Sequence, residues 1–433
     1  MNKINASDAL SNFIKNGGIF LSFSIFNRAI PFLLLPILTA YIDPYGYGII
    51  AVMAIITSLA MPVIGICSDS VLFQLYFKLD KVSKINFIND AYKIVLINTV
   101  IISIISIPFS SLILTFVGLP LKWFEISIFC ASAGMITTLT TQIFLLKKKA
   151  FNYGLFMTLN ALVNGGLAIL MVVVYELSWQ GRAYSLLISA ILMAVIAVLM
   201  NIKEKDVELS SFKFTNQAGT IYSLGTALIP SAIGGWAIAM TDRIFLTGIT
   251  TLEIVGIYAV GVMIAQTVDI FLNALARACH PMLAKYGDSE DPSTKIIIVQ
   301  GVYLFIFISA LVVSALTVIA PIIINVMVNE RFYEAIEVIL WISLGYAFTN
   351  IGGLFLSLLL MIKKNILTIY ISSATVIFSV IAAYFLIKEY GMIGAAIANC
   401  LSGFLNLTML FIVLNYYNPL PWFNKKVLTA RIR

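Results

Sequence analysis

An all-α membrane protein of about twelve transmembrane helices, in two six-helix bundles related by a pseudo-two-fold axis along the membrane normal, is the fold class this sequence predicts. Three observations carry it. Of 433 residues, 61% are hydrophobic and 11% charged, where a soluble domain carries about 25% charged residues. Apolar runs near twenty residues long recur from end to end, enough at ~1.5 Å rise per residue to cross a bilayer. The two halves also repeat each other. Leu38-Thr39, Gly48-Ile49 and Ala51-Val52 recur 208 residues later as Leu246-Thr247, Gly256-Ile257 and Ala259-Val260. Glu176, Gly181, Ala183 and Ser189 recur 213 residues later as Glu389, Gly394, Ala396 and Ser402. Two ungapped strings at nearly equal offsets imply a six-plus-six duplication. An even number of spans per half leaves both halves in the same orientation.

The spans follow in order. Residues 1–16 are too polar for a signal peptide, so the apolar run after them stays as a span. Leu10, Phe13 and Ile14 suit either a short surface helix or a frayed tail. Span 1 covers 17–41, with Asn27 and Arg28 inside it. Span 2 covers 46–70, with Ser58, Pro62, Gly65 and Asp69 at helical spacing. A basic segment with Lys78, Lys81, Lys84 and Lys93 leads to span 3 at 92–117, broken by Pro108. Span 4 (123–146) stops at Lys147-Lys148-Lys149, span 5 (152–175) carries Asn160 and Asn164, and span 6 runs from after Arg182 to Met200. The polar stretch 201–220 reads as the linker, which gives an N-terminal bundle of 1–208 and a C-terminal bundle of 209–433. Spans 7 to 12 fall at 221–247, 254–280, 295–320 (ending at Pro321), 336–361, 365–387 and 392–415.

Charge sets the orientation. With both termini cytoplasmic, only Lys122, Arg182, Arg331 and Lys388 of the 27 Lys and Arg residues fall in outer loops, and Arg28 and Arg243 fall in spans. The rest lie on the cytoplasmic side, as positive-inside topology requires. The net charge of +7 is thereby explained by the membrane, with no nucleic-acid partner. Cys67, Cys130, Cys279 and Cys400 are scattered, and His280 is the only histidine. That spacing excludes a His-based metal centre or triad, and no phosphate-binding GxxxxGK[ST] loop is present. No cofactor is expected.

Polar groups inside spans mark function, because a charge in hydrocarbon costs at least ~2.5 kcal/mol on insertion scales. Gln266, Asp269, Asn273 and Arg277 are spaced three, four and four apart and form one stripe on span 8. Asp242 and Arg243 lie in span 7. Such a wet face suits transport. Arg28 sits near the midplane, beyond easy snorkelling reach, and suits a phosphate, since a guanidinium grips phosphate bidentately; a structural pairing with a buried Asp is the other reading. Arg243 fits binding or snorkelling. Asp269 fits proton coupling or a fixed ion pair with Arg28 or Arg277, and Asp242 fits coupling, pairing with Arg243 or a helix cap. Asn27, Asn164, Asn273, Asn350 and Gln266 suit sugar contacts or interhelical hydrogen bonds. The repeat register sets Asp69 opposite Arg277, each near a cytoplasmic helix end, as a candidate inner gate or as separate local pairs.

The stretch 28–52, RAIPFLLLPILTAYIDPYGYGIIAV, resembles the first two helices of polysaccharide flippases: a proline-bearing first helix, then an L-T-x-x-x-x-P-x-x-x-G turn. AMTDRIFL at 239–246 is similar to the start of their second half. With the twelve spans and the duplication, the chain resembles bacterial O-antigen or capsule repeat-unit flippases of the multidrug/oligosaccharidyl-lipid/polysaccharide exporter superfamily. It departs from many of them at Tyr45-Gly46-Tyr47, where an acidic residue is usual. The resemblance implies two bundles in a V in the bacterial inner membrane. It also implies movement of an undecaprenyl-pyrophosphate-linked oligosaccharide, with H+ or Na+ coupling, membrane lipids and other polysaccharide assembly proteins as partners. A drug or cation antiporter of the same superfamily is the rival. A membrane polysaccharide polymerase or glycosyltransferase is disfavoured, since the loops hold no carboxylate or histidine cluster.

Overall fold

This computed structural model describes residues 30–111, 118–207, 213–286, 291–362 and 365–422, with Phe23, Asn27 and Leu114 besides. Among the described residues the chain is helical throughout. The helices are α1 (Ile30–Tyr41), α2 (Pro44–Ile64), α3 (Ser68–Leu75), α4 (Lys81–Ser106), α5 (Leu121–Leu146), α6 (Ala150–Ile169) and α7 (Ser178–Lys203). They continue as α8 (Asn216–Ile249), α9 (Leu252–Tyr286), α10 (Pro292–Met327), α11 (Ile336–Met361) and α12 (Asn365–Tyr417). Ten helical stretches among the described residues are long and apolar enough to cross a membrane. The last, α12, contains a non-helical residue, Gly391 at φ 56° and ψ −130°, and is therefore two arms. Counting both arms, with α1 as the described part of a further apolar helix, recovers the twelve spans.

Local chemistry explains the boundaries. Asp43 caps α2 by accepting from Gly46 N at 2.9 Å, with Pro44 in the first turn. Asp80 caps α4 through Ser83 N at 3.3 Å, so that helix starts at Lys81 and absorbs the basic segment expected to precede it. Pro108 lies in a 3-10 turn, Ile107–Phe109, where α4 ends. Pro321 does not end its helix; it lies inside α10. The two glycines matched by the repeat both stand where a new helix turns back on the preceding one. A Cβ on Gly181 would meet the Met171 carbonyl oxygen at 2.6 Å, and one on Gly394 would meet that of Leu386 at 2.0 Å. Each approach needs a residue without a side chain.

The chain forms two compact units, Met1–Ala237 and Ile238–Arg433. The division falls inside α8, beyond the linker position expected at 208/209. In the N-terminal unit the core joins α2, α4, α5 and α7 through Ile64, Phe87, Val95, Leu139, Phe144 and Met193. A buried polar knot ties three of them: Asn201 Nδ2 donates to Tyr92 Oη (2.6 Å) and to Thr140 Oγ1 (2.9 Å). The first part of α8 belongs to this unit. Fully buried Asp90 accepts from Thr215 N (2.9 Å), Thr215 Oγ1 (2.6 Å), Ala218 N (3.1 Å) and Lys93 Nζ (3.2 Å), and so caps α8 from a helix more than a hundred residues earlier. Lys147 pairs with Glu204 (3.5 Å) and Asp206, and Lys149 pairs with Glu204. The triple-lysine turn is thus tied to the linker as well as basic.

The second span breaks in a way the periodicity does not show. After α2 ends at Ile64, Ile66 and Cys67 take positive φ (49° and 47°) before α3 begins. Asn98 Nδ2 donates to the freed Ile64 carbonyl at 2.8 Å. Gly225 of α8 lies against the same break, so close that a Cβ there would meet the Ile66 carbonyl oxygen at 2.0 Å. In the C-terminal unit the corresponding helix, α9, runs through its polar stripe without a break, and its core joins α9 to α10, α11 and α12 through Leu272, Val302, Phe305, Leu354, Leu358 and Leu414.

Candidate functional site

The C-terminal unit holds seven of the predicted residues. On α9, Gln266 is exposed, Asp269 and Asn273 are half-buried and Arg277 is exposed, so the stripe is a partly accessible seam down one helix. Asn273 Nδ2 donates to Asp269 Oδ1 at 2.8 Å, and Asn350 Nδ2, from α11, donates to the same oxygen at 2.9 Å. Each amide also donates to a carbonyl one turn back, of Asp269 (3.1 Å) and of Tyr346 (2.9 Å). Asp269 is therefore held by neutral amide donors. The fixed ion pair with Arg277 is not found among the described residues. Tyr346 stands within hydrogen-bonding reach of Gln266 and close to Arg243, Asp242 and Asp269.

Asp242 and Arg243, on α8, complete the cluster. Asp242 is buried; its Oδ2 accepts from Tyr258 Oη at 2.5 Å and its Oδ1 from the Arg243 backbone N–H at 2.8 Å. The pairing of the two side chains considered from sequence is replaced by these bonds. The Arg243 guanidinium turns inward, with Nη1 3.4 Å from Met240 Sδ and Nε buried without a partner. That is the opposite of snorkelling. An orphaned buried N–H is costly, and a group carrying one is poised for a polar ligand.

The N-terminal unit holds a different arrangement. Arg28, the predicted phosphate residue, lies outside the described residues. Asn27 places Oδ1 in a buried position with no partner. Asn164 of α6 joins a network expected from no motif: its Nδ2 donates to Ser189 Oγ (3.0 Å), and its Oδ1 accepts from Arg182 Nη1 (2.9 Å). The sequence places Arg182 in an outer loop. The structure corrects this: it is the fifth residue of α7, with its guanidinium inside the bundle. Arg182, Ser185 and Ser189 lie three and four residues apart, so the stripe was present in the sequence, hidden by proximity to a predicted loop.

The gate residues fare differently. Asp69 is half-buried in the first turn of α3, with Oδ2 3.5 Å from Ser70 Oγ, and Arg277 is exposed on α9. The match between them assumes that span 2 continues through Asp69, as α9 continues through Arg277. The break at Gly65–Cys67 removes Asp69 from the Ser58 stripe and with it that register.

No family model matches the chain. It is 24% identical over 280 residues to an uncharacterized membrane protein of Haemophilus influenzae, spanning 65% of that relative's length and 62% of its own. Among solved structures it resembles the inward-facing conformation of a multidrug resistance MATE family transporter of the MOP superfamily (TM-score 0.69, 15% identity, 90% of this chain and 95% of that one). It equally resembles the lipid II flippase MurJ in an inward closed conformation (TM-score 0.70, 15% identity, 92% of this chain and 87% of that one). The chain thus has the two-bundle all-helical fold that these transporters and the lipid flippase share.

Proposed function

We propose that the protein is a flippase for lipid-linked oligosaccharide. It moves an undecaprenyl-pyrophosphate-linked repeat unit from the cytoplasmic to the periplasmic leaflet of the bacterial inner membrane, for surface polysaccharide assembly. One observation carries this reading: each unit holds an embedded charge whose hydrogen-bond partners are all neutral. The N-terminal unit holds a guanidinium with only neutral partners, Arg182, which leaves cationic charge for a diphosphate. The C-terminal unit holds two carboxylates, Asp269 and Asp242, hydrogen-bonded by neutral groups, which suits a coupling ion, H+ or Na+. The fold shared with a lipid II flippase supports it, as does the resemblance of the 28–52 stretch to polysaccharide flippases. In this reading Arg28 joins the phosphate site, and Asn27 and Asn164 in the first unit, and Asn273, Asn350, Gln266 and Arg243 in the second, are substrate contacts within their own units. The protein is a carrier and no enzyme, both termini are cytoplasmic, and other assembly proteins receive the product.

The test is depletion of the protein in the cell that encodes it. Lipid-linked repeat units should accumulate in the cytoplasmic leaflet while surface polysaccharide falls. Unchanged polysaccharide with a gain in sensitivity to cationic drugs would instead support the second reading, a drug or cation antiporter. The Asp269 carboxylate and the shared MATE fold favour that alternative.

A further inference from the structure

The junction between α2 and α3 is held in a conformation that its own residues disfavour. Ile66 and Cys67 stand side by side in the left-handed region (φ 49° and 47°), where a Cβ crowds the following carbonyl and a β-branched side chain is worst placed. At the repeat offset of 208 their counterparts are Ala274 and Leu275, which lie inside the unbroken α9. A straight α2–α3 helix would pair the Ile64 carbonyl with the Ser68 backbone N–H, one turn on. Here Ser68 N donates to Gly65 O at 3.0 Å, and Asn98 Nδ2, from α4, takes the Ile64 carbonyl at 2.8 Å. The fully buried Ser68 hydroxyl is left with no hydrogen-bond partner among the described residues. In a helix a serine can return its hydroxyl to the carbonyl four residues back, again that of Ile64. Broken and straight forms thus compete for one carbonyl oxygen. Strain of this kind persists only where neighbours impose it, and one such neighbour is α8. Gly225 brings its backbone so close to the Ile66 carbonyl oxygen that a Cβ would stand 2.0 Å away. Trp236 Nε1, further along the same helix, donates to Ser58 Oγ of α2 at 3.0 Å. Gly225 and Trp236 are about three turns apart, so one face of α8 lies along α2 from Ser58 to the break. It is also within α8 that the two compact units divide.

We propose that the α2–α3 junction is a two-state element set by α8. With α8 seated on it through Gly225 and Trp236, the junction is broken and Asn98 holds the Ile64 carbonyl. With α8 lifted, that carbonyl returns to Ser68, Ile66 and Cys67 take up helical angles, and α2 and α3 become one straight helix, as α9 already is. The seat of α8 therefore fixes the direction of α3, and with it the position of Asp69. The two states differ in named contacts, as any element that biases such an equilibrium requires.

Electron–electron double resonance on the full-length protein in lipid nanodiscs provides the test. Spin labels are carried on p-acetylphenylalanine in place of two exposed residues, Ala54 of α2 and Phe73 of α3, which leaves Cys67 untouched. A straight helix would separate the labelled Cα atoms by about 28 Å at the helical rise, and a broken one by less. The native protein should show the shorter distance as its main population and the longer one as a minor population. Asn98→Ala removes a bond made only in the broken form and should raise the long-to-short ratio roughly three- to tenfold. Gly225→Ala pushes α8 off the Ile66 carbonyl and should raise it by a similar factor. Ile66→Gly frees the left-handed position of its Cβ and should lower the ratio roughly tenfold, leaving the short distance alone. These opposite shifts establish the two-state element. One distance unchanged in all three folded variants makes the junction a fixed kink and overturns the proposal. A long population that neither Asn98→Ala nor Gly225→Ala increases overturns it equally. If one of those two does not fold, the other decides by the same criteria.

Discussion

The two units answer the same problem, how to keep charge inside a membrane helix bundle, in opposite ways. The C-terminal unit surrounds its carboxylates with dedicated donors: two amides on Asp269 and a phenol on Asp242. The N-terminal unit leaves a guanidinium with two neutral acceptors and no acid. The backbone differs in parallel. The second span is broken in the N-terminal unit and continuous in the C-terminal one, though the repeat makes them counterparts. The two units thus differ both in how a polar span runs and in how these three charged groups are satisfied.

The sharpest way to break the comparison is to change the charged groups themselves. Asp269→Asn should abolish gradient-driven transport, since the amide imitates a neutral acid and still accepts from Asn273 and Asn350. Substrate binding should persist. Arg28→Ala should abolish export at normal expression, with Arg28→Lys partly active. Equal transport rates with and without an ion gradient in the Asp269→Asn and native proteins would remove the coupling role.

Next in size is Asp90→Ala. It removes the cap of α8 and leaves Thr215, Ala218 and Lys93 without their buried acceptor. A loss of about 2–4 kcal/mol is expected in reversible detergent unfolding. A pair of glycine substitutions then compares the units directly. Gly225→Ala puts a Cβ against the Ile66 carbonyl oxygen at 2.0 Å and should cost about 1–3 kcal/mol, the range for overpacking. Gly353→Ala, where nothing stands within 4 Å, should be neutral or stabilise by up to about 1 kcal/mol through helix propensity. Equal effects at the two sites would contradict the close packing at the break.

The smallest effect is one of pH. The hydrogen bond from Lys149, then its charge and that of Lys147, lowers the Glu204 carboxyl below its ordinary value of 4.5. A depressed carboxylate contributes stability that is fully present above the unfolded value and is lost as pH falls through the folded one. Glu204→Gln should therefore flatten the acid limb of a melting-temperature profile slightly below pH 4.5 and leave the neutral region parallel to that of the native protein. The contact is half-buried at the surface and screened by solvent, so a large change would mean that Glu204 does more than tether the lysines.

What could be read without coordinates follows a physical line. Hydropathy and helical period report on one helix at a time, so the spans and the Gln266–Asp269–Asn273 stripe were legible. Asn350 was legible as a polar residue, but its bond to Asp269 joins α11 to α9 and has no local signature. Arg182 was misplaced because charge counting credits a basic residue near a span end to the adjoining loop, and only packing shows that the side chain turns inward. The helix break at Gly65–Cys67 was hidden because Ile66 and Cys67 are not residues that announce a positive φ. Pro321 misled in the other direction: a proline reads as a stop, yet α10 carries it in mid-course.

The cap that Asp90 places on α8 has a further consequence for how the chain is made and inherited. The boundary expected from the sequence repeat falls in the linker, whereas the boundary of packing falls inside α8, at Ala237. A ribosome that has finished the first six spans has not finished the first compact unit, because Asp90 still waits for Thr215 and Ala218, and the turn at Ile66 still waits for Gly225. Cutting the gene at the linker and co-expressing the pieces would separate these partners, whereas a cut in the loop between α8 and α9 would keep them on one fragment. Halves exchanged between relatives should travel intact only when α8 travels with the first of them.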